Sequence, residues 1–406
     1  MGVVLVNYGI FNSNSGGHTA HFANALAEAG ENVWVLGAGD PDAARDFGEV
    51  KFNSCSFDDL KEYVPTRLTS ALAEPGAIVH GWTPRETVKG VIDRLVAETE
   101  VPYIVHLEDN EDVIARSQLG ADWDRFARSF DDPAGATFPA HLSHPVRSRA
   151  LLKRAAGVTV IADALRSTVE TTAPIHLLEP GVDASLFSPL ASETERQAAR
   201  RALYIAPDAK VIVYHGNMHS ANRRDMFSLY TALTILKRRG VPVVLIRSGV
   251  DHGADFDVSM EFLRRDVIDL GLLPRDEMVA ILKLADVYVQ PGAVDDFNIY
   301  RLPSKVPEFL ALGRPVALPR ANIGLQLKND VEAIVLDRGD GLDIADRLER
   351  LFANPEQMRT VGAAGRAFAL RELDWKRNAA ALLGFYRDVL LNKAETKKPT
   401  KRVKAK

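Results

Sequence analysis

The feature that most constrains this chain is a rhythm that runs through it twice. Short β-branched runs at residues 3–6, 33–36, 77–80, 103–106 and 158–161 alternate with longer segments of helical periodicity at 20–29, 85–98, 148–156 and 164–171. The runs are apolar without a two-residue alternation, which suits strands covered on both faces, as in a parallel sheet flanked by helices. The rhythm restarts with strands expected at 211–214, 243–247, 267–269, 287–290 and 315–318, and helices at 226–238, 276–284, 305–312 and 344–353. The fold class is therefore α/β, built from two Rossmann-like β/α/β domains in tandem. A length of 406 residues agrees with two domains.

Glu179-Pro180-Gly181-Val182-Asp183 breaks the pattern and marks the boundary. The first domain spans 1–180 and the second 181–374. A polar helix from Glu193 to Arg201 leads into the second. Residues 120–144 are rich in Asp, Pro and aromatics and read as an irregular insertion. The Lys-rich tail, 393–406, is expected to be disordered. It either keeps the chain soluble or makes a weak contact with an anionic membrane, worth about 1 kcal/mol per basic residue near the surface.

Composition excludes several classes. A formal net charge of -4 gives no global attraction to nucleic acid. No stretch approaches the ~20 apolar residues of a membrane span, and Met1-Gly2-Val3-Val4 lacks the basic start of a signal peptide. A cytoplasmic protein is expected, peripheral at the inner membrane face if the tail binds there. Cys55 is the only cysteine, so no intramolecular disulfide forms, and it reads as a small buried hydrophobe.

In open α/β sheets ligands bind beyond the carboxyl ends of the strands, so two such domains facing each other define a central cleft. The first strand runs into Ser15-Gly16-Gly17-His18 and a helix. Paired glycines there either let backbone N–H groups approach a phosphate or simply make a tight turn. The second domain carries Arg301-Leu302-Pro303-Ser304-Lys305-Val306-Pro307-Glu308, leading to Gly313. Pro303 and Ser304 suit a helix start and Gly313 its end. Ser304 and Lys305 then sit at the positive end of the helix, where a pyrophosphate would bind. Glu308, one turn on, can accept two hydrogen bonds from a ribose diol, or merely complete a cap.

At these residues the chain resembles the family-four retaining glycosyltransferases of the GT-B fold. The resemblance runs from Val3 to about Leu391. It includes Gly16-Gly17, Val105-His106-Leu107-Glu108-Asp109, Gly157-Val158-Thr159-Val160-Ile161, Glu179–Asp183, Leu273-Pro274-Arg275-Asp276-Glu277-Met278, Pro303–Val316 and Leu373-Asp374-Trp375. It implies a nucleotide-sugar donor as substrate, no further cofactor, transfer with retention to a glycan, lipid-linked or other hydroxyl acceptor, and a helix at 375–392 that crosses back to the first domain. The family signature is Glu, seven residues, Glu. Glu308 matches the second, whereas Tyr300 stands at the first, with Asp295 and Asp296 nearby. Asn217 and Asn222 stand where the family has Arg and Lys, and Arg223, Arg224 or Arg247 is expected to supply the charge.

On this reading Gly16, Gly17, Ser304, Lys305 and one of those arginines stabilise the leaving diphosphate. His106 orients the transferred sugar or is structural. Glu108, Asp109 and Glu111 serve sugar hydroxyls, act as acceptor base, or form a solvated loop. His18 contacts phosphate or acceptor, His80 has a cleft role on the acceptor side or a structural one, and Trp82 is an acceptor-side candidate. His215 and His219 lack a third ligand, so no metal is expected. Two rivals remain: a catalytically silent GT-B scaffold or binding subunit, favoured by Tyr300, Asn217 and Asn222, and a GT-B nucleotide-sugar epimerase. A phosphorylase of the glycogen type would need a longer chain.

Overall fold

A computed structural model describes residues 1–128, 130, 137–190, 192–252, 262–264 and 267–396. The chain forms two compact units: Met1–Pro180 with Trp375–Lys406, and Gly181–Asp374.

The first unit runs β1 (Gly2–Ile10), α1 (Asn14–Glu28), β2 (Asn32–Ala38), β3 (Asn53–Ser56), α2 (Phe57–Glu62), α3 (Thr66–Leu72), β4 (Ile78–Trp82), α4 (Glu86–Thr99), β5 (Tyr103–Leu107), α5 (Glu111–Leu119), α6 (Trp123–Ala127), α7 (Pro145–Arg154), β6 (Gly157–Val160) and β7 (Ile175–Leu177). Its seven strands lie in the order β3-β2-β1-β4-β5-β6-β7, and all pairs are parallel. Helices on both faces bury Val3, Val4, Leu5 and Val6 completely, which is why that run does not alternate. Strand order reverses between β1 and β4, placing a ligand-binding crevice at their carboxyl ends.

The second unit repeats the plan. It runs α8 (Glu193–Ala202), β8 (Lys210–His215), α9 (Arg223–Arg238), β9 (Val243–Ser248), β10 (Val267–Asp269), α10 (Arg275–Leu282), β11 (Val287–Val289), α11 (Val306–Ala311), β12 (Val316–Pro319), β13 (Ile334–Leu336), α12 (Gly341–Phe352) and α13 (Pro355–Glu372). The order is β10-β9-β8-β11-β12-β13, all parallel. Here the reversal falls between β8 and β11.

The last helix, α14 (Trp375–Thr396), belongs to the first unit. Trp375 meets Phe22 edge-on at 5.1 Å and stacks on His21 at 4.6 Å, both from α1. Phe385 and Val389 lie over Gly157, where a Cβ would come within 2.9 Å of the Phe385 ring. The sequence ended order at 392, yet the helix continues to Thr396. The rest of the predicted tail lies outside the described residues. So do 129 and 131–136 of the predicted irregular insertion, whose described part contains the short helix α6. Among the described residues no helix is long and apolar enough to cross a membrane. Cys55 is buried in β3, and burial pushes its thiol pKa up.

Candidate functional site

At the reversal point of the first unit, three side chains converge on one carboxylate. Glu108 lies just beyond β5. Its Oε1 accepts from Trp82 Nε1 at 3.0 Å and pairs with His18 Nδ1 at 2.8 Å. Its Oε2 accepts from the Ser15 hydroxyl, and Ser15 in turn donates to Tyr8 Oη at 3.2 Å. Burial raises the Glu108 pKa, but the hydrogen bonds from His18 and Ser15 and the nearby His106 prevail and hold it near about 2. Both oxygens are already engaged by His18, Trp82 and Ser15, which favours neither the acceptor-base nor the solvated-loop reading of Glu108. It is a fixed anion. Asp109, next in the loop, is partly exposed.

Gly16 and Gly17 are also corrected. Ser13 caps α1, so the helix starts at Asn14 rather than at the predicted residue 20. The Gly16 N–H donates to Ser13 Oγ at 3.0 Å and the Gly17 N–H to Ser13 O at 2.8 Å. Both N–H groups are spent within the helix. The glycines serve close packing instead: a Cβ on Gly16 would stand 2.2 Å from Phe11 O, and one on Gly17 2.8 Å from the Phe47 ring.

His80 and His106 lie beneath this surface. His80 is fully buried, with Nδ1 2.8 Å from Tyr386 Oη and Nε2 2.9 Å from Thr159 Oγ1. Thr159 Oγ1 also stands 2.8 Å from His106 Nδ1, because His106 and Thr159 are register partners on β5 and β6. His106 is 1% exposed and packs on Trp82 at 4.1 Å between ring centres. Burial depresses its pKa to about 3 and lowers that of His80 well below the ordinary imidazole value, so both rings are neutral near pH 7. His80 is thereby structural, contrary to an acceptor role. His106 supports Trp82 from below, and the more accessible imidazole at these strand ends is His18.

Glu111, at the start of α5, is buried too. Its Oε2 accepts from Ser143 Oγ at 2.6 Å and from Arg85 Nε at 3.3 Å. The Arg85 guanidinium lies 3.7 Å from the Tyr8 ring centre. Glu111 is therefore half of a buried ion pair and not a solvated loop residue. Tyr8, Ser15 and Arg85 were not singled out from sequence, since nothing local shows that a tyrosine inside β1 and an arginine before α4 meet.

In the second unit Lys305 bends over the end of β8. Gly216, at φ 151°, makes room, since a Cβ there would stand 2.8 Å from Lys305 Cε. Lys305 Nζ lies 5.6 Å from the Tyr214 ring centre. Burial, and then Arg301, lower its pKa to about 8 against the opposing pull of Glu308. Arg301, over Phe297 at 4.0 Å, is a cation the sequence reading passed over. His215 falls to about 4 through burial, Lys305 and Arg275. His219 is lowered by burial, Arg301 and Lys305. Lys305 and Arg301 thus stand with Glu308 at the carboxyl end of β8, beside the strand reversal. Among the described residues no group of three or more His, Cys, Asp or Glu is placed to hold a metal ion.

Other predicted donor residues fall elsewhere or do other work. Arg247 is 1% exposed, and Asp269 at 2.6 Å together with Asp251 neutralises it. It cannot supply the missing phosphate charge. Arg223 and Arg224 open α9, and Arg224 is exposed. Asn217 Oδ1 accepts from Val250 N at 2.9 Å, so it ties two loops together. Asn222 links Asn217 O to the His219 N–H. Asp295 holds its own turn through Phe297 N at 3.2 Å and Asn298 N at 2.9 Å, while Asp296 is exposed and Tyr300 partly so. α11 begins at Val306 with Lys305 in the cap position and no side-chain cap, so Ser304 sits in the preceding turn rather than at the helix start. Glu308 stands in the first turn, partly exposed.

No protein-family profile matches the chain. Comparison with solved structures places its fold among the GT-B glycosyltransferases, in agreement with the resemblance read from the sequence. The Anabaena protein HepE in complex with UDP aligns with a TM-score of 0.69 at 12% identity, over 96% of this chain and 100% of that one. Sucrose-phosphate synthase from Thermosynechococcus elongatus aligns at 0.65 and 16% identity, over 96% and 99%. Among curated proteins, the D-inositol 3-phosphate glycosyltransferase of Saccharomonospora viridis is 26% identical over 228 residues, covering 53% of this chain and 50% of that protein. The GDP-mannose-dependent alpha-(1-6)-phosphatidylinositol monomannoside mannosyltransferase of Mycolicibacterium smegmatis is 28% identical over 228 residues, covering 52% and 56%. The chain thus matches about half the length of these curated relatives.

Proposed function

We propose that this chain is a retaining glycosyltransferase that moves a sugar from a nucleotide-sugar donor to a hydroxyl acceptor. The observation that carries the reading is Lys305, folded over Gly216 beside Arg301 at the end of β8. A cation already partly removed from water binds a diphosphate more strongly than a solvated one. The donor diphosphate then meets Lys305 and Arg301, with Glu308 on the ribose diol. The first unit takes the acceptor near His18 and Asp109; Trp82, fully buried with its N–H on Glu108, is structural like His80 and not the acceptor-side residue expected from the sequence. The relatives support the class: one is named for GDP-mannose, and HepE is known in complex with UDP-glucose. A cytoplasmic location, and a weak membrane contact of the basic tail, belong to the same proposal.

The test is a thermal-shift screen of UDP, GDP, ADP, dTDP, UDP-glucose and GDP-mannose against wild type, Lys305→Ala and Glu308→Ala. One nucleotide at a hundredfold its Kd should stabilise the wild type by about 2.7 kcal/mol, and both variants should lose the effect. Tyr300, at the place of the first signature Glu, favours a second reading, a silent GT-B binding protein. That reading expects nucleotide binding without turnover, or no binding at all.

A further inference from the structure

We propose that the acceptor is an uncharged polyol or sugar, and that Glu111, by neutralising Arg85, makes the strand ends of the first unit refuse a phosphorylated one. The proposal rests on the glycosyltransferase reading and adds the chemical class of the acceptor to it. A site for a phosphate ester needs a cation whose charge is still available, or N–H groups aimed at the anion. The strand ends of the first unit are poor in both. The N–H groups of Gly16 and Gly17 are spent inside α1. Those of Glu86 and Thr87, which open α4, go to Leu142 O and Ala140 O, both at 3.0 Å. α5 opens on Glu111 and Asp112, whose carboxylates repel an anion. Arg85 lies 3.3 Å from Glu111, with its side chain 9% exposed, and Asp109 adds to the same negative field. His18 is held by Glu108 at 2.8 Å.

Charge around the strand ends points the same way. The segments that follow β1, β2, β4, β5 and β6, residues 11–18, 39–47, 83–86, 108–112 and 161–168, hold nine carboxylates against three arginines and one histidine. Each of those four bases has a carboxylate partner. Besides the two pairs above, Arg45 lies 3.2 Å from Asp42 and Arg166 2.6 Å from Asp163. Arg147 and Arg149 of α7 are taken by Glu86 and Asp112, at 2.8 and 2.5 Å. Carboxylates still outnumber bases, so a phosphate arriving here meets like charge and finds no unspent cation. A hydroxyl meets no such barrier, since it donates to a carboxylate and accepts from an N–H. Three buried oxygens at the same strand ends, Asn7 Oδ1, Thr83 Oγ1 and Glu111 Oε1, have no hydrogen-bond partner among the described residues. They call for hydrogen donors, which a hydroxyl carries and an ionised phosphate lacks.

The Arg85–Glu111 pair is joined to the rest of the site. Arg85 lies over the Tyr8 ring, and Tyr8 Oη accepts from Ser15. Ser15 donates to Glu108, whose other oxygen holds His18. One network therefore runs from the start of α4 across β1 to α1. Glu111 determines the preference within it, because it cancels a guanidinium that would otherwise stand as an uncompensated cation. Removing its charge should turn strand ends that repel an anion into ones that accept it.

Two measurements on the full chain test this. In the first, nucleoside diphosphate release from UDP-glucose and GDP-mannose is followed with paired acceptors: glucose and glucose 6-phosphate, and myo-inositol and inositol 3-phosphate. A neutral member should speed release, and its phosphate should be at least about tenfold poorer in kcat/KM. A phosphate ester that equals or exceeds its neutral partner overturns the proposal and leaves the transferase reading standing. The second measurement needs no turnover. Inorganic phosphate is titrated at constant ionic strength while the His18 imidazole, assigned by comparison with His18→Gln, is followed by NMR. The wild-type signal should stay in place. Glu111→Gln, which keeps the shape of the side chain and uncovers Arg85, should give a saturable shift. A saturable shift in the wild type overturns the proposal even if Glu111→Gln does not fold. A folded Glu111→Gln that gives no shift overturns the role of Glu111. Absence of nucleotide binding overturns the transferase reading itself, and the proposal with it.

Discussion

Lys305, Arg247 and Glu108 show what a charge does at the residue scale. Burial, and then Arg301, hold the Lys305 pKa down at about 8. Nucleotide affinity should therefore fall as pH rises through about 8, and binding above that pH should be accompanied by proton uptake. Calorimetry in buffers of differing ionisation enthalpy checks both. Arg247 is the opposite case, a buried cation spent on Asp251 and Asp269. Arg247→Ala should cost roughly 3 kcal/mol of stability, because it leaves two carboxylates underpaired. Urea denaturation reads that loss, and nucleotide affinity measured below the transition should be unchanged. Glu108 has a folded pKa depressed from 4.5 to about 2. Its contribution is complete above about pH 4.5 and is lost as pH falls toward about 2, on the order of 3 kcal/mol in all. Glu108→Gln should flatten that part of the acid limb. The sequence displays Arg247 and Lys305 as equivalent cations near strand and helix ends. The difference lies in partners from other elements, which no local pattern reveals.

At the scale of elements, burial decides what is legible. β1, β2, β4, β5, β8 and β9 announce themselves because both faces are covered and each is built around an apolar run. β3 reads Asn-Ser-Cys-Ser and β7 is three residues of edge. Both form because a neighbouring strand offers a ladder, and their own composition carries little signal. The start of α1 was placed late for a related reason. Its first turn is Asn-Ser-Gly-Gly, which suggests a loop until the Ser13 cap is seen. That glycine pair makes a clear prediction. Gly16→Ala would drive a Cβ into the Phe11 carbonyl and should destabilise by about 1–3 kcal/mol. A phosphate-cradling glycine would instead lose nucleotide affinity at little cost in stability. Comparing melting temperature and nucleotide affinity in the one variant separates the two.

At the scale of the whole molecule, the chain interrupts one unit with another. The second unit is continuous from Gly181 to Asp374, with its own sheet and a core around Leu229, Leu233, Leu245 and Ile344. The first is completed only by α14, whose Ala379, Leu382, Tyr386 and Val389 join the core of β1 and α1. A fragment of residues 181–374 should therefore fold alone and keep nucleotide affinity. A fragment of residues 1–180 should not give a cooperative melt without the last helix. The two-domain rhythm was visible in sequence because each unit repeats the same buried strands. The contacts that return α14 to α1 are not local, and only the resemblance pointed to them. The central claim, a donor diphosphate on Lys305 at the end of β8, is tested most directly by titration calorimetry at pH 7. UDP and GDP would be titrated into wild type and Lys305→Ala. Saturable binding of one nucleotide by the wild type, weakened at least about tenfold in the variant, is the result predicted here. Equal affinity in both proteins, or binding to neither, would contradict it.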